Sequence, residues 1–359
     1  MKRRNFIKNT TLAGMGLPLT NILGNNIYTE DNFISNRPTL NKRTFTSEAV
    51  EDLIVFIKNQ IEDKELSWMF ENCYPNTIDT TVDYEIIDGK PDTFIITGDI
   101  DAMWLRDSTA QVWPYLPLIK KDKKIKNLIK GLINRQAKCV IRDPYANSFY
   151  KDLSRVSAHN KDIPTPIAGV HEQKWEVDSL CYVIRLSYHY YKLTGDNSIF
   201  DETWIQSSKI IYDTFLTEQR KNGESPYTFI RNGTAMVDAP VFSGTGRPFK
   251  PNGMICSMFR PSDDATKYPF LIPSNIFAAI SMKQLSEIYK SEKMDLVFAE
   301  KCLSMSIEVN KAIQKYAIKE HLDFGKISKL EGWGDLSVSN LKYSIDKKKI
   351  FNSLNLFIL

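Results

Sequence analysis

Apolar residues recurring every three or four positions, in one stretch after another, are what most limits the folds open to this chain. After Ser47, in "EAVEDLIVFIKNQI", Val50, Leu53, Ile54 and Ile57 share one side of a helix that the serine can cap. "DKKIKNLIKGLINRQAKCVI" repeats the spacing with Ile125, Leu128, Ile129, Leu132 and Ile133. "DSLCYVIRLSYHYYKLTGD" repeats it with Leu180, Val183, Ile184, Tyr188 and Tyr191, and Gly195 stops that helix. Further helices are expected over 201–220, 274–290 and 295–319, and short strands in "DYEIIDG" and "DTFIITG". Between the helices run long loops rich in proline, glycine and aromatic residues, 143–175 and 222–272. Structureless loops of that length inside a compact domain are usually functional. The pattern predicts an all-α fold, a toroid of helical hairpins whose loops form a cleft at one end.

Composition narrows the function. A chain of 359 residues with 42% hydrophobic residues can bury a large core, in one domain or two. The net charge of +4 is spread among interspersed lysines and acids, without the basic stripe that a nucleic-acid partner requires. Five cysteines lie far apart with no CxxC pair, so buried free thiols are expected. Four histidines without HxxxH or HExxH give no basis for a histidine metal site, and no GxGxxG, Walker loop or GxSxG elbow implies a cofactor or nucleotide. The opening "MKRRNFIKNTTLAGMGLPLTNILG" has the plan of an export signal over residues 1–25. Its Arg3-Arg4-Asn5-Phe6-Ile7-Lys8 resembles a twin-arginine signal; an ordinary secretory signal containing two arginines is the alternative. Residues 26–46 are polar and read as a linker. No later segment approaches the roughly 18 apolar residues of a membrane span, so an exported protein, periplasmic or secreted and at most peripheral to a membrane, is expected; a monomer is expected as well.

The loops carry the chemistry. "TGDIDAMWLRDSTAQVWPY" (97–115) places Asp99, Asp101, Trp104, Arg106 and Asp107 together, followed by Trp113 and Tyr115. "GVHEQKWEVDSLCY" (169–182) adds His171, Gln173, Lys174 and Glu176. "FSGTGRPFKPNGMICSMFRPSDDA" (242–265) adds Arg260, Asp263 and Asp264. Acids and cations mixed with aromatic rings suit a sugar, whose hydroxyls are read by carboxylates and arginine and whose C–H face lies on a ring. Each piece has a plainer reading. Asp99 and Asp101 could cap the helix that begins near Trp104, and Arg106 with Asp107 could be a structural ion pair. Trp113 and Tyr115 fit a core, Asp263-Asp264 a loop cap or calcium ligand pair, and His171 a hydrogen-bonding loop residue.

"TGDIDAMWLRDSTAQVWPYLPL", "HEQKWEVDSLCY" and "MFRPSDDATKYPFLIPSN" resemble signature segments of glycoside hydrolase family 125. The resemblance runs from about residue 45 to 327. It implies an (α/α)6 barrel and an exo-acting, inverting, cofactor-free α-1,6-mannosidase, acting on N-glycan or mannan fragments. It also implies that Asp178 is the general acid. An inverting glycosidase needs one protonated carboxyl and a second carboxylate about 6.5–9.5 Å away to hold water. Trp175, Val177 and Leu180 around Asp178 would help keep it protonated, as would the charges of Glu172 and Glu176, whereas a helix N-terminus favours the anion.

The chain departs from the family after about residue 327. "GKISKLEGWGDLSVSN" begins like a family segment, but "LKYSIDKKKIFNSLNLFIL" stands where the family has an acidic segment and closing helices carrying the glutamate base. Glu331 is the nearest acid, in a context that does not match, so no general base is identified. The expectation is one glycosidase domain, 47–359, with a barrel incomplete at the C-terminus. It is either an active exo-mannosidase or a truncated, mannose-binding remnant.

Overall fold

Ser47 caps the first helix through its side chain, which accepts the Val50 N–H at 3.2 Å. In the computed structural model, residues 33–332 are described, apart from 224 and 234–237. The export signal, the first residues of the linker and most of the divergent C-terminal stretch lie outside the described residues. Helix α1 spans Glu48–Lys58 and buries Val50 and Ile54. Two short helices follow that are not among those expected, α2 (Lys64–Cys73) and α3 (Asn76–Thr80). α2 carries Leu66, Met69, Phe70 and Cys73 at helical spacing, but only Phe70 packs on the core, half-buried, while Leu66 and Met69 stay exposed. The strands β1 (Val82–Ile87) and β2 (Lys90–Ile95) form an antiparallel hairpin. Asp88 and Gly89 both take positive φ in its two-residue turn, as the tightest hairpins require.

Strand β3 (Met103–Trp104) runs directly into α4 (Leu105–Val112), which tightens into a 3-10 turn over Trp113–Leu118. Helix α5 (Lys123–Arg142) is capped by Asp122 and packs on β2. Gly131 permits that approach: a Cβ there would stand 3.0 Å from the backbone nitrogen of Thr93. β4 (Ser148–Phe149) and β5 (Val170–Glu172) join β3 in a small antiparallel sheet. α6 (Val177–Thr194) ends at Gly195, whose φ of 66° is the left-handed cap its sequence implied. α7 spans Glu202–Glu218. β6 (Phe270–Leu271) leads into α8 (Ile272–Ser291), and α9 (Leu296–Tyr316) follows. β7 (Ile318–His321) pairs with β8 (Gly325–Ser328), and β9 (Glu331–Gly332) returns to pair with β6.

α4, α6 and α8 pack in succession, while α5 lies on α7 and α8 on α9. This is the alternation of a helical-hairpin ring, so the all-α expectation holds. The helices α4 and α8 each start directly after a strand, and α6 starts a few residues after β5. The chemistry gathers at those starts. Cys139, Cys181, Cys256 and Cys302 are buried free thiols and Cys73 is exposed. Among the described residues no helix is long and apolar enough to cross a membrane.

Candidate active site

Glu176 is the residue before α6 and Asp178 lies in its first turn; their exposures are 1% and 3%. Arg106, from the first turn of α4, points one nitrogen at both: Nη1 donates to Glu176 Oε2 at 2.7 Å and reaches Asp178 Oδ2 at 3.4 Å. The Ser179 hydroxyl donates to the same Glu176 oxygen at 2.8 Å. The other oxygens, Glu176 Oε1 and Asp178 Oδ1, are buried and accept no hydrogen bond, and the same holds for Asp107 Oδ2. Asp178 does not sit at the cap position of α6, so a purely structural N-cap does not account for it.

Burial pushes both carboxyls above the ordinary range. For Glu176 the charge of Arg106 opposes the shift, while Asp178 and Asp263 add to it. For Asp178, Arg106 again opposes and Asp107 adds. The guanidinium stays charged: burial works against it, but Glu176, Asp178 and Asp107 together hold its pKa above the usual value. Two buried carboxyls thus face a single cation, an arrangement that disfavours ionising both.

Behind this pair lies a second network. Lys174 is buried, donates to the Asp263 carbonyl at 3.0 Å and stands 3.4 Å from Glu172. Asn147 Nδ2 reaches Glu172 and Asp263, each at 3.5 Å. Arg231 donates to Glu172 at 2.7 Å and to both oxygens of Asp162, at 2.9 and 2.5 Å. Glu172 therefore sits below the ordinary carboxylate range although burial pushes it up, because Lys174 and Arg231 pull harder. Asp263, held at a φ of 66°, is pushed up mainly by burial.

The remaining sequence-derived candidates are placed less uniformly. Gln173 donates to Asp143 at 2.6 Å. His171 is buried, shares a hydrogen bond with the Ser148 hydroxyl at 3.1 Å, and packs against Trp104, Tyr150 and His159. Burial lowers its pKa to about 4, so the ring is neutral. Trp104 belongs to a small buried cluster with Ala102 and Tyr150. Asp99 and Asp101 are exposed and do not cap α4; Asp101 pairs with Arg155 at 2.7 Å. Arg260 is committed to Glu331 at 2.6 Å, and the Tyr268 N–H occupies the other Glu331 oxygen at 2.9 Å. Asp264 closes its own turn, accepting from Ser262 and, through its carbonyl, from Arg260. Tyr115 is core, and Trp113 lies under the Arg185 guanidinium and meets His189 edge-to-face. Arg106, Asp107, Lys174, Glu176, Asp178 and Asp263 thus come together, while Asp99, Asp101, Arg260 and Asp264 make their contacts elsewhere. Arg231, Asp162, Asn147 and Asp143 were not singled out from sequence, since isolated polar residues in long loops carry no local signal.

The sequence model of a family described as metal-independent alpha-mannosidase (GH125) matches residues 63–336. The chain belongs to this family. It is 37% identical over 321 residues to the meiotically up-regulated gene 157 protein of Schizosaccharomyces pombe, an alignment covering 84% of this chain and 62% of that protein's length. It also matches the structure of a metal-independent alpha-mannosidase from Streptococcus pneumoniae, determined as a non-productive complex with alpha-1,6-mannobiose. The TM-score is 0.76 at 37% identity, over 83% of this chain and 69% of the other. The fold is thus that of the GH125 (α/α)6 enzymes. Within this GH125 chain, the segments containing Arg106 and Asp178 are those that assemble the buried acid pair.

Proposed function

We propose that this chain is an exo-acting glycoside hydrolase that releases terminal mannose from α-1,6-linked mannosides with inversion, Asp178 serving as the acid. The observation that carries this is the desolvated Asp178 carboxyl, with Oδ1 unpartnered beside the Arg106–Glu176 pair. A carboxyl kept protonated by its surroundings can donate to the glycosidic oxygen as the bond to the anomeric carbon breaks. The Streptococcus pneumoniae mannosidase, with its bound alpha-1,6-mannobiose, supports the choice of linkage.

Water must attack from the opposite face, its proton passing to a second carboxylate. Glu176 is too near for that part: its Oε2 and Asp178 Oδ2 contact the same guanidinium nitrogen, which holds them closer together than the roughly 6.5–9.5 Å of an inverting pair. Glu331 has both oxygens engaged. A mannoside-binding protein without turnover is the second reading. The twin-arginine-like Arg3-Arg4-Asn5-Phe6-Ile7-Lys8 supports export as the route to the substrate.

Proton NMR of the chain incubated with α-1,6-mannobiose separates these readings. β-Mannose appearing before mutarotation is the expected result. α-Mannose appearing first would replace inversion with retention, and binding without release would establish the second reading.

A further inference from the structure

We propose that Glu176 is a positioning residue: held as the anion by Arg106 and Ser179, it keeps the proton on Asp178. The inference builds on the reading of Asp178 as the acid and assigns its neighbour a separate task. Among the described residues, Arg106 is the cation that touches the pair, and it faces two buried carboxyls with one nitrogen. Asp107 from α4 and Asp263 from the loop before β6 add negative charge nearby. Cys181 and Tyr182, on the next turn of α6, are held neutral by burial and supply no counter-charge. Two anions in this setting repel strongly enough that one takes up a proton.

Hydrogen bonding decides which. Glu176 Oε2 accepts from the guanidinium at 2.7 Å and from the Ser179 hydroxyl at 2.8 Å, both in the range of strong contacts to an anion. Asp178 has the guanidinium only at 3.4 Å, a distance at which the bond is weak. Burial raises both carboxyls and so does not choose between them. Two short bonds to a charged acceptor therefore mark Glu176 as the better-held anion. With Glu176 charged, its field opposes ionisation of Asp178. With Glu176 replaced by glutamine, Asp178 becomes the anion Arg106 seeks and ionises at lower pH.

Infrared difference titration of the carboxyl C=O stretch tests this without requiring turnover. The wild-type chain should show a protonated carboxyl near neutral pH that Asp178→Asn removes. That variant separates it from Asp143 and Asp263, which burial also pushes up. Glu176→Gln should move the band's titration down by about one pH unit or more, and Glu176→Asp should restore it. A band that survives Asp178→Asn and vanishes in Glu176→Gln, or a titration unmoved in Glu176→Gln, would overturn the proposal. Should the glutamine variant not fold, wild-type protein carrying 13C-labelled glutamate carboxyls decides: an unshifted band supports the assignment and a shifted one overturns it. Failure to release mannose with the infrared result intact would sink the hydrolase reading and leave the proton assignment standing.

Discussion

Glu172 and Asp178 lie on either side of Trp175 in one short segment, and both are nearly inaccessible. Glu172 has Arg231 at 2.7 Å, Lys174 at 3.4 Å and Asn147 at 3.5 Å, and its carboxylate is held below the ordinary range. Asp178 has, besides its own backbone N–H, a single side-chain contact at 3.4 Å, from an arginine already committed to Glu176, and burial drives it up. The ratio of cations to carboxyls separates the two. Two cations converge on Glu172, which fixes the loops around it as an ion-pair brace. Two carboxyls share one cation at Asp178, which stores a proton. Burial alone does not make a carboxyl an acid catalyst; what it is paired with does.

The largest effect should come from the proton store. Asp178→Asn keeps the shape and removes the proton to be donated, so turnover of α-1,6-mannobiose should fall by about 10²–10⁴-fold with affinity largely retained. Rates and calorimetric binding on the same preparation check both halves. Near-normal turnover would show that the proton comes from another group.

The brace should fail differently. Arg231→Ala leaves Asp162 and Glu172 buried with too few partners, a situation that costs about 3–5 kcal/mol. The urea midpoint of the variant should drop accordingly. Glu172 has a lowered folded pKa, so its contribution is present above the unfolded carboxylate value and disappears as pH falls through the folded one. The difference between variant and wild type should therefore shrink on acidification. A difference that stays flat from neutral to acid pH would dissolve the contrast drawn between the two clusters.

Arg106 belongs to the proton store, and the sequence reading has it touching the sugar. Losing one charge-assisted contact costs about 1.5–3 kcal/mol, so Arg106→Ala should weaken mannobiose binding roughly ten-fold or more. Binding measured beside thermal melting decides the matter. A variant that melts early and binds normally would confine Arg106 to its carboxylate partners.

Much of the scaffold could be read directly. Ser47 and Gly195 act through their own backbone neighbourhood, and the stripes of α1, α5 and α6 need only a core to face. α2 was passed over because its stripe of Leu66, Met69, Phe70 and Cys73 is only two turns long and mostly exposed. The site was legible as a set of segments but not as a set of pairs. Arg260 and Glu331 meet across a separation of 71 residues, and nothing local to either marks the other. Glu331, set aside for its surroundings, serves there as a structural anchor. Likewise, Arg231 joins Asp162 to Glu172 only because the two long loops cross, a tertiary event without a periodic signature.

The smallest expected effect tests whether His171 belongs with the brace or the proton store. Its ring is packed among Trp104, Tyr150 and His159, and burial lowers its pKa to about 4. A base whose folded pKa is lowered is favoured neutral in the native state. Its contribution is fully present above the unfolded value of roughly 6.5 and is lost as pH falls from there toward 4, because the unfolded chain takes the proton first. His171→Gln removes that linkage while leaving a side chain that can still bond Ser148. The variant should therefore lose less stability than wild type between pH 7 and 5.5, by on the order of 1 kcal/mol. The pH–rate profile of the wild type should carry no limb from His171 near neutrality. Urea midpoints at several pH values measure the first expectation. An unchanged slope would mean that His171 titrates alike in the folded and unfolded chain; a variant that loses more stability than wild type on acidification would mean that the ring is protonated in the native state, which would place it with the charged groups of the site.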